Sequence, residues 1–147
     1  MPLIAIPLLV AASVLALPDA SQSAPGDDAA ARAPLEAYLR GHATGEPHYM
    51  RRALLPTAHI EGVRDGKFVS WTAEEYIAGF KGKPADDEAT RKRSIDAIDV
   101  AGNAAMARVT LDYPSGTFTD YFVLLKVDGE WKIANKVWTR HPKDATP

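Results

Sequence analysis

The second half of the chain contains three turn signals at similar spacing, and these constrain the fold more than any other feature. The signals are Gly102-Asn103, Pro114-Ser115-Gly116 and Asp128-Gly129, whose residue types favour tight turns. Four segments rich in β-branched and aromatic residues flank them, at about 90–100, 104–113, 117–127 and 130–139. The pattern predicts a four-stranded antiparallel meander, at least one face of which must be buried.

Two helices are predicted before the first strand. Residues 28–44 place Leu35, Tyr38 and other apolar side chains on one face at helical spacing, and Gly45 supplies a C-terminal stop. Pro47 suits the first turn of a second, short helix over residues 48–54. These helices offer an apolar surface that a sheet can cover.

A β-hairpin is predicted next. Segments 59–63 and 67–71 flank Asp65-Gly66, a pair that favours a tight hairpin turn. Thr72 and Glu75 then form a capping-box pattern, which predicts the start of a third helix. The apolar residues assigned to that helix are Tyr76, Ile77 and Phe80. The order helix, helix, hairpin, helix and meander indicates an α+β fold, with three N-terminal-half helices on one face of a curved antiparallel sheet.

Composition limits the chemistry. The 147 residues carry a formal net charge of −2, which argues against a nucleic-acid-binding surface. The chain has no cysteine, so thiolate catalysis, disulfides and iron–sulfur clusters are excluded. Its four histidines show no metal-ligand spacing, and it contains no glycine-rich phosphate loop. We therefore expect neither a metal nor a cofactor.

The N-terminus is expected to direct export. Residues 1–16 carry no charged side chain and are almost all apolar, but they are fewer than the roughly 20 residues that a membrane-spanning helix needs. They fit the apolar region of a secretory signal, although the usual positive residues before it are missing. An uncleaved anchor or a buried apolar segment is the alternative. We expect a signal peptide and leader over 1–24, one domain over 25–140 and a polar tail over 141–147. The mature protein would be periplasmic or secreted, with no membrane span after cleavage.

Three segments carry a family resemblance: EAYLRGHATGE, PTAHIEGVRDGKFVSWTAEEYIAGF and FTDYFVLLKVDGEWKIANKVW. They resemble the nuclear transport factor 2-like superfamily over about residues 28–140. Within it the chain is most similar to the putative lumazine-binding group, near the SnoaL-like and ketosteroid-isomerase branches. The resemblance implies a cone, in which a bent sheet wraps around helices and encloses a pocket. It also implies a homodimer formed through the outer sheet face, which strand alternation makes partly apolar.

Strand pairing and the resemblance together predict a pocket. A two-residue turn at Asp128-Gly129 would place Tyr121 opposite Lys136, on the same face as Val123 and Trp138. By resemblance to the isomerases, Tyr38 takes the place of their helix tyrosine and Trp138 that of their final-strand aromatic residue. The predicted pocket residues are Tyr38, Ile60, Trp71, Tyr121, Val123, Lys136 and Trp138.

The same resemblance implies that the isomerase acids are absent. The position of the isomerase base is occupied by Gly62, and that of the second acid by Val123. Steroid-type isomerisation is therefore not expected.

Two functions are carried forward. The first is an exported binding domain that holds an apolar or aromatic small molecule, whose identity the residues do not specify. The second is a small cofactor-independent isomerase, dehydratase or cyclase that uses Tyr38 with His59 or Lys136. A histidine or carboxylate within hydrogen-bond reach of Tyr38 would favour the enzyme, whereas an outward His59 and a cavity lined only by Tyr and Trp would favour binding. A cavity below roughly 300 Å³ would instead indicate a filled, structural dimer.

Overall fold

The computed structural model describes residues 26–143. The helices are α1 (Asp27–Thr44), α2 (Pro47–Ala53) and α3 (Ala73–Ile77), with a 3₁₀ turn at Glu88–Thr90. The strands are β1 (His59–Arg64), β2 (Lys67–Thr72), β3 (Lys92–Ala101), β4 (Ala104–Tyr113), β5 (Gly116–Val127) and β6 (Glu130–Pro142). The signal and leader predicted over 1–24 lie outside the described residues. Strand β6 continues into the segment predicted as a polar tail.

The strands form one curved sheet in the order β2-β1-β6-β5-β4-β3. Strands β3 to β6 are the predicted antiparallel meander. Strand β1 pairs with β6 in parallel, with Ile60 beside Lys136 and Gly62 beside Trp138. The sheet is therefore mixed, because the N-terminal hairpin joins the meander alongside its last strand. The cone-shaped α+β fold predicted from the sequence is confirmed.

Local signals explain the element ends. Gly45 closes α1 in the left-handed conformation with φ 71°, and its N–H donates to the carbonyl oxygen of Gly41. Thr72 and Glu75 form the predicted capping box at the start of α3. That helix ends at Ile77, so Phe80 lies beyond it rather than within it. The glycine at position 79 has low helix propensity, which is consistent with this early end.

The turns were predicted correctly, but the register of β5 with β6 was not. Val127 pairs with Glu130 and Leu125 with Lys132, as the turn at Asp128-Gly129 requires. Between Val123 and Leu124 the register then shifts, leaving Ala134 as an extra residue in β6. Such a β-bulge changes which side chains share a face beyond it. The predicted pair of Tyr121 with Lys136 is therefore wrong, since Tyr121 pairs with Val137.

The observed register places Phe122 and Asp120 on the inner face of the sheet. Phe122 pairs with Lys136 and Asp120 with Trp138, and all four side chains are buried. The inner face of the sheet packs on α1 and α2 through a core that includes Leu35, Tyr38, Met50, Ile60, Phe122, Leu124 and Ile133. The bulge thus brings an acidic side chain of β5 to the inner face.

Candidate functional site

An inner cavity of about 400 Å³ lies between the sheet and α3. Its wall is formed by His42, Arg64, Trp71, Glu75, Tyr76, Gly79, Phe80, Leu111, Tyr113, Phe118, Asp120, Lys136 and Trp138. The volume exceeds the roughly 300 Å³ at which small-molecule sites begin, so the cone is not filled by its own side chains. We call this space the aromatic cavity.

Three buried polar groups meet at the inner end of the site. Tyr38 on α1 donates its hydroxyl hydrogen to Asp120 Oδ2 on β5, with 2.8 Å between the oxygens. Lys136 Nζ on β6 donates to the Tyr38 hydroxyl oxygen at 2.7 Å and to Asp120 Oδ2 at 3.0 Å. Lys136 and Asp120 form an ion pair whose side chains are 5% and 1% exposed. The contacts tie one helix and two strands together at a single point.

The hydrogen-bond chain continues to α3 and back to α1. The Tyr76 hydroxyl lies 3.0 Å from the Tyr38 hydroxyl, and His42 Nε2 lies 2.9 Å from the Tyr76 hydroxyl. Tyr38 has one hydroxyl hydrogen and gives it to Asp120, so Tyr76 must donate to Tyr38. His42 must in turn donate to Tyr76, which requires its Nε2–H tautomer. The chain of donors therefore runs from His42 towards Asp120.

Burial and neighbouring charge set the protonation states. Burial lowers the pKa of His42 well below its ordinary value, and the positive charges of Lys136, Arg93 and Arg91 add to this, so the imidazole is neutral. Burial, reinforced by the charge of Asp120, raises the pKa of Tyr38 well above that of a free phenol. Burial opposes the charge on Lys136, but interactions with Tyr76 and Asp120 outweigh it and raise its pKa. Lys136 is therefore an ammonium rather than a nucleophilic amine.

One oxygen of the ion pair has no partner. Asp120 Oδ1 is buried and accepts no hydrogen bond from any of residues 26–143. An unsatisfied buried acceptor costs roughly 1–3 kcal/mol. Asp120 is part of the cavity wall but Oδ1 itself is shielded there, so a donor group inside the cavity would reach this oxygen after a small displacement of the wall.

Two indoles form an aromatic wall. The rings of Trp71 and Trp138 are nearly parallel, at 8°, with centroids 6.2 Å apart. A Cβ atom on Gly62 would lie 2.5 Å from Trp138 Cε2, so this position must be glycine to accommodate the ring. Gly62 is the residue that the resemblance aligns with the isomerase base. The Trp138 ring therefore occupies the space that a side chain at position 62 would need.

Three predicted pocket residues, Trp71, Lys136 and Trp138, are part of the cavity wall. Tyr38 lies behind the wall and contacts it through hydrogen bonds to Asp120, Lys136 and Tyr76. Ile60 is fully buried in the core rather than in the wall. The hydrophobic core and the aromatic cavity are adjacent and share Leu111, Tyr113 and Trp138.

Tyr121 and Val123 do not line the aromatic cavity but border a groove on the outer face of the sheet. Both side chains lie on the outer face and are 51% and 52% exposed, because the bulge at Ala134 shifts the register. His59 is also exposed and is not part of the cavity wall, and its backbone N–H donates to Asn135 Oδ1. His59 therefore does not join Tyr38 in an acid–base pair.

Asp120, Tyr76 and His42 were not predicted from the sequence as site residues. His42 lies four residues after Tyr38 on the same face of α1, a spacing that was visible in the sequence. Asp120 was not predicted because the register shift that turns it inward has no signal in the sequence. The absence of both isomerase acids was inferred from Gly62 and Val123, yet a carboxylate does contact Tyr38, from a position three residues before Val123.

Residues 26–143 contain neither a metal-binding cluster nor a membrane-spanning helix. Within that range no three His, Asp or Glu side chains are grouped to hold a metal ion. None of the helices described there is long and apolar enough to cross a membrane.

Comparison with known proteins identifies the family. The sequence profile of the family described as Putative lumazine-binding matches residues 26–139. The chain belongs to this family. It is also 22% identical to "Aldolase FrzH" from Cladobotryum sp. over 108 residues, which cover 72% of this chain and 85% of that protein.

Solved structures support the same fold. An NTF2-like protein of unknown function from Shewanella baltica is 29% identical, with a TM-score of 0.73 over 83% of this chain and 99% of its own. Another from Methylobacillus flagellatus is 27% identical, with a TM-score of 0.72 over 82% of this chain and 97% of its own. The chain is therefore a nuclear transport factor 2-like protein.

The neutral His42 makes stability depend on pH. Its pKa is lower in the folded than in the unfolded protein, so the unfolded state binds more protons at mildly acidic pH. This contribution to stability is complete above the unfolded pKa of about 6.5 and is lost as the pH falls towards the folded pKa. We expect the free energy of unfolding to fall by up to about 1.4 kcal/mol per pH unit there, and His42→Gln to flatten the slope.

Urea denaturation at several pH values between about 7.5 and 5 measures this slope. His59→Gln, which removes an exposed histidine, should leave it unchanged. Parallel curves for His42→Gln and the unmodified protein would contradict the assignment.

Proposed function

We propose that this chain is an exported small-molecule-binding domain whose aromatic cavity holds an apolar or aromatic ligand with a hydrogen-bond donor. The observation that carries the proposal is the unpartnered Asp120 Oδ1 beside an otherwise largely apolar cavity. A ligand O–H or N–H at this oxygen would satisfy the buried acceptor. The polar group would fix orientation while the apolar wall supplies most of the contact area.

The aromatic wall supports a flat ligand. Trp71 and Trp138 present large apolar surfaces, and Phe118 and Tyr113 extend them across the cavity. Lumazine, the compound in the family's description, is a planar bicyclic heterocycle with N–H groups. Its shape and donors are of the kind that such a wall and acceptor would accommodate. Mass spectrometry of small molecules retained by the purified native protein tests for a resident ligand.

Ligand binding should distinguish the inner from the outer face. Trp138→Ala removes part of the cavity wall, and we expect it to weaken the binding of β-naphthol about tenfold, since burying a large apolar group contributes roughly 1.5–3 kcal/mol. Isothermal titration calorimetry measures the affinity. Tyr121→Ala is the matched control, because it truncates an aromatic residue on the outer face. An equal or larger loss of affinity with Tyr121→Ala would contradict the proposal, because it would place the ligand on the outer face of the sheet.

We also propose a homodimer through the outer face. Met106, Tyr121, Val123 and Val137 are each about half exposed, and they lie on three adjacent strands. An apolar patch of this kind is typical of an interface. Val123→Glu should shift the molar mass measured by light scattering from dimer to monomer. Ala89→Glu adds the same charge at an exposed residue of the 3₁₀ turn and should not. A monomeric unmodified protein would exclude the dimer.

Export rests on the apolar residues 1–16. We expect the full chain, expressed in a Gram-negative host, to appear in the periplasmic fraction or the medium with its N-terminus removed. Retention of uncleaved protein in the cytoplasm would contradict this expectation.

A second candidate function is acid–base catalysis. Asp120 is a carboxylate within hydrogen-bond reach of Tyr38, which is the arrangement that favours the enzyme hypothesis. The Tyr38 hydroxyl oxygen already makes three hydrogen bonds, so Tyr38 is a positioning residue. Asp120 would accept a proton from a carbon next to a carbonyl, and the Lys136 ammonium would stabilise the enolate oxygen. The similarity to a protein named as an aldolase is compatible with such chemistry.

Hydrogen exchange into a model ketone tests this candidate. We expect the protein to accelerate deuterium uptake next to the carbonyl of β-tetralone in deuterium oxide by about 100-fold or more over buffer, a typical contribution of general base catalysis. Proton NMR follows the loss of signal. Asp120→Asn and Lys136→Met should both return the rate to that of buffer, whereas Asp112→Asn, at a partly exposed acid on β4, should not. A buffer rate with the unmodified protein would exclude enolising catalysis of this ketone.

A further inference from the structure

A second cavity, of about 350 Å³, adjoins the aromatic cavity. The two share Arg64, Phe118 and Trp138. The second cavity is further bordered by Val63, Asp65, Arg140 and Pro142. Two arginines and one aspartate leave one positive charge in excess on this wall. We call this space the arginine cavity.

The two guanidinium groups lack acidic partners. Neither Arg64 nor Arg140 forms an ion pair with any carboxylate among residues 26–143, although seven other Lys or Arg side chains form such pairs there. Surface arginines do not need such partners, but two of them on one small cavity create a local positive potential. The charge is therefore available to a ligand.

Aromatic rings lie beside both guanidinium groups at cation–π distances. The Arg64 guanidinium lies 5.3 Å from the Trp71 ring centroid and 5.5 Å from that of Trp138. The Arg140 guanidinium lies 5.7 Å from the Phe118 centroid, and its Nη2 donates to the carbonyl oxygen of Ser115. A cation–π contact uses none of the N–H donors of a guanidinium, so its N–H edges remain for other partners. Such edges match the two oxygens of a carboxylate.

We infer that the arginine cavity is an anion subsite and that the ligand of the aromatic cavity is an aromatic carboxylate. The inference rests on the proposed binding function and specifies its ligand class. The charges at the two ends assign the orientation. At the inner end the charges of Asp120 and Lys136 balance, and Asp120 Oδ1 would accept a neutral donor, whereas the excess positive charge of Arg64 and Arg140 would attract the carboxylate. The ring system would lie between them, against Trp71 and Trp138.

The test compares β-naphthoate with its methyl ester, which has the same ring but no charge. We expect calorimetry to show that the carboxylate binds at least tenfold more tightly, although the ester is the more apolar compound. Arg64→Gln should reduce this preference about tenfold, and Arg140→Gln should reduce it less, because Arg140 already donates to Ser115. Lys67→Gln is the matched control. Lys67 pairs with Arg64 in the hairpin but lines neither cavity, so this variant removes one nearby positive charge and leaves both cavities intact.

The outcomes separate this inference from the proposed function. Equal binding of carboxylate and ester would overturn the anion subsite while leaving the aromatic cavity as a ligand site. An equal loss of affinity for the carboxylate and the ester in Arg64→Gln would also overturn the anion subsite, because Arg64 would then act only by supporting the indole rings. A loss of preference in Lys67→Gln as large as in Arg64→Gln would reduce the effect to general surface charge and overturn the subsite. Failure of β-naphthol, β-naphthoate and the ester to bind at all would refute the binding function, and the subsite with it.

Discussion

The buried ion pair between Lys136 and Asp120 is the interaction on which the rest of the site depends. Moving two charges out of water is costly, and a buried pair persists only where further hydrogen bonds satisfy its atoms. Tyr38 provides one such bond to each partner, so α1, β5 and β6 meet at a single polar point. Removing either charge would leave the other uncompensated, at a cost of roughly 3–5 kcal/mol. Apolar residues of similar volume would often serve stability as well, which favours a functional reason for the pair.

The extra residue Ala134 is what brings the pair together. Without the bulge, Lys136 would share its face with Tyr121, and Asp120 would point to the opposite side of the sheet. With it, the inner face gains a carboxylate and the outer face gains Tyr121 and Val123. Gly62 acts in the neighbouring strand in a comparable way, since its missing Cβ leaves room for Trp138. One inserted residue and one absent side chain thus shape both the polar end and the aromatic wall of the cavity.

These two features also explain how far the sequence alone could lead. Turn residues such as Asp65-Gly66 and Asp128-Gly129 have local conformational preferences, so the order and approximate ends of the strands followed from them. The capping box at Thr72 and the stop at Gly45 are equally local. A bulge depends instead on how two strands pack against a whole core, and Ala134 carries no local mark of it. Trp71, Lys136 and Trp138 were assigned to the pocket from the sequence and line the cavity, whereas Asp120 could be identified only from the observed register.

The hydrogen-bond chain at one end and the arginines at the other make the two ends of the cavity chemically different. Every donor from His42 to Tyr38 points towards Asp120, so at the inner end the Asp120 acceptor is accompanied by the Lys136 ammonium as donor. The arginine cavity offers an excess of positive charge and N–H donors beside the Asp65 carboxylate. The proposed ligand would therefore lie with its neutral donor inward and its anionic group outward. Binding and catalysis would then differ only in which ligand group meets Asp120 Oδ1. If an O–H or N–H group meets Asp120 Oδ1, the hydrogen bond holds the ligand; if an acidic C–H meets it, the same oxygen is placed to remove the proton.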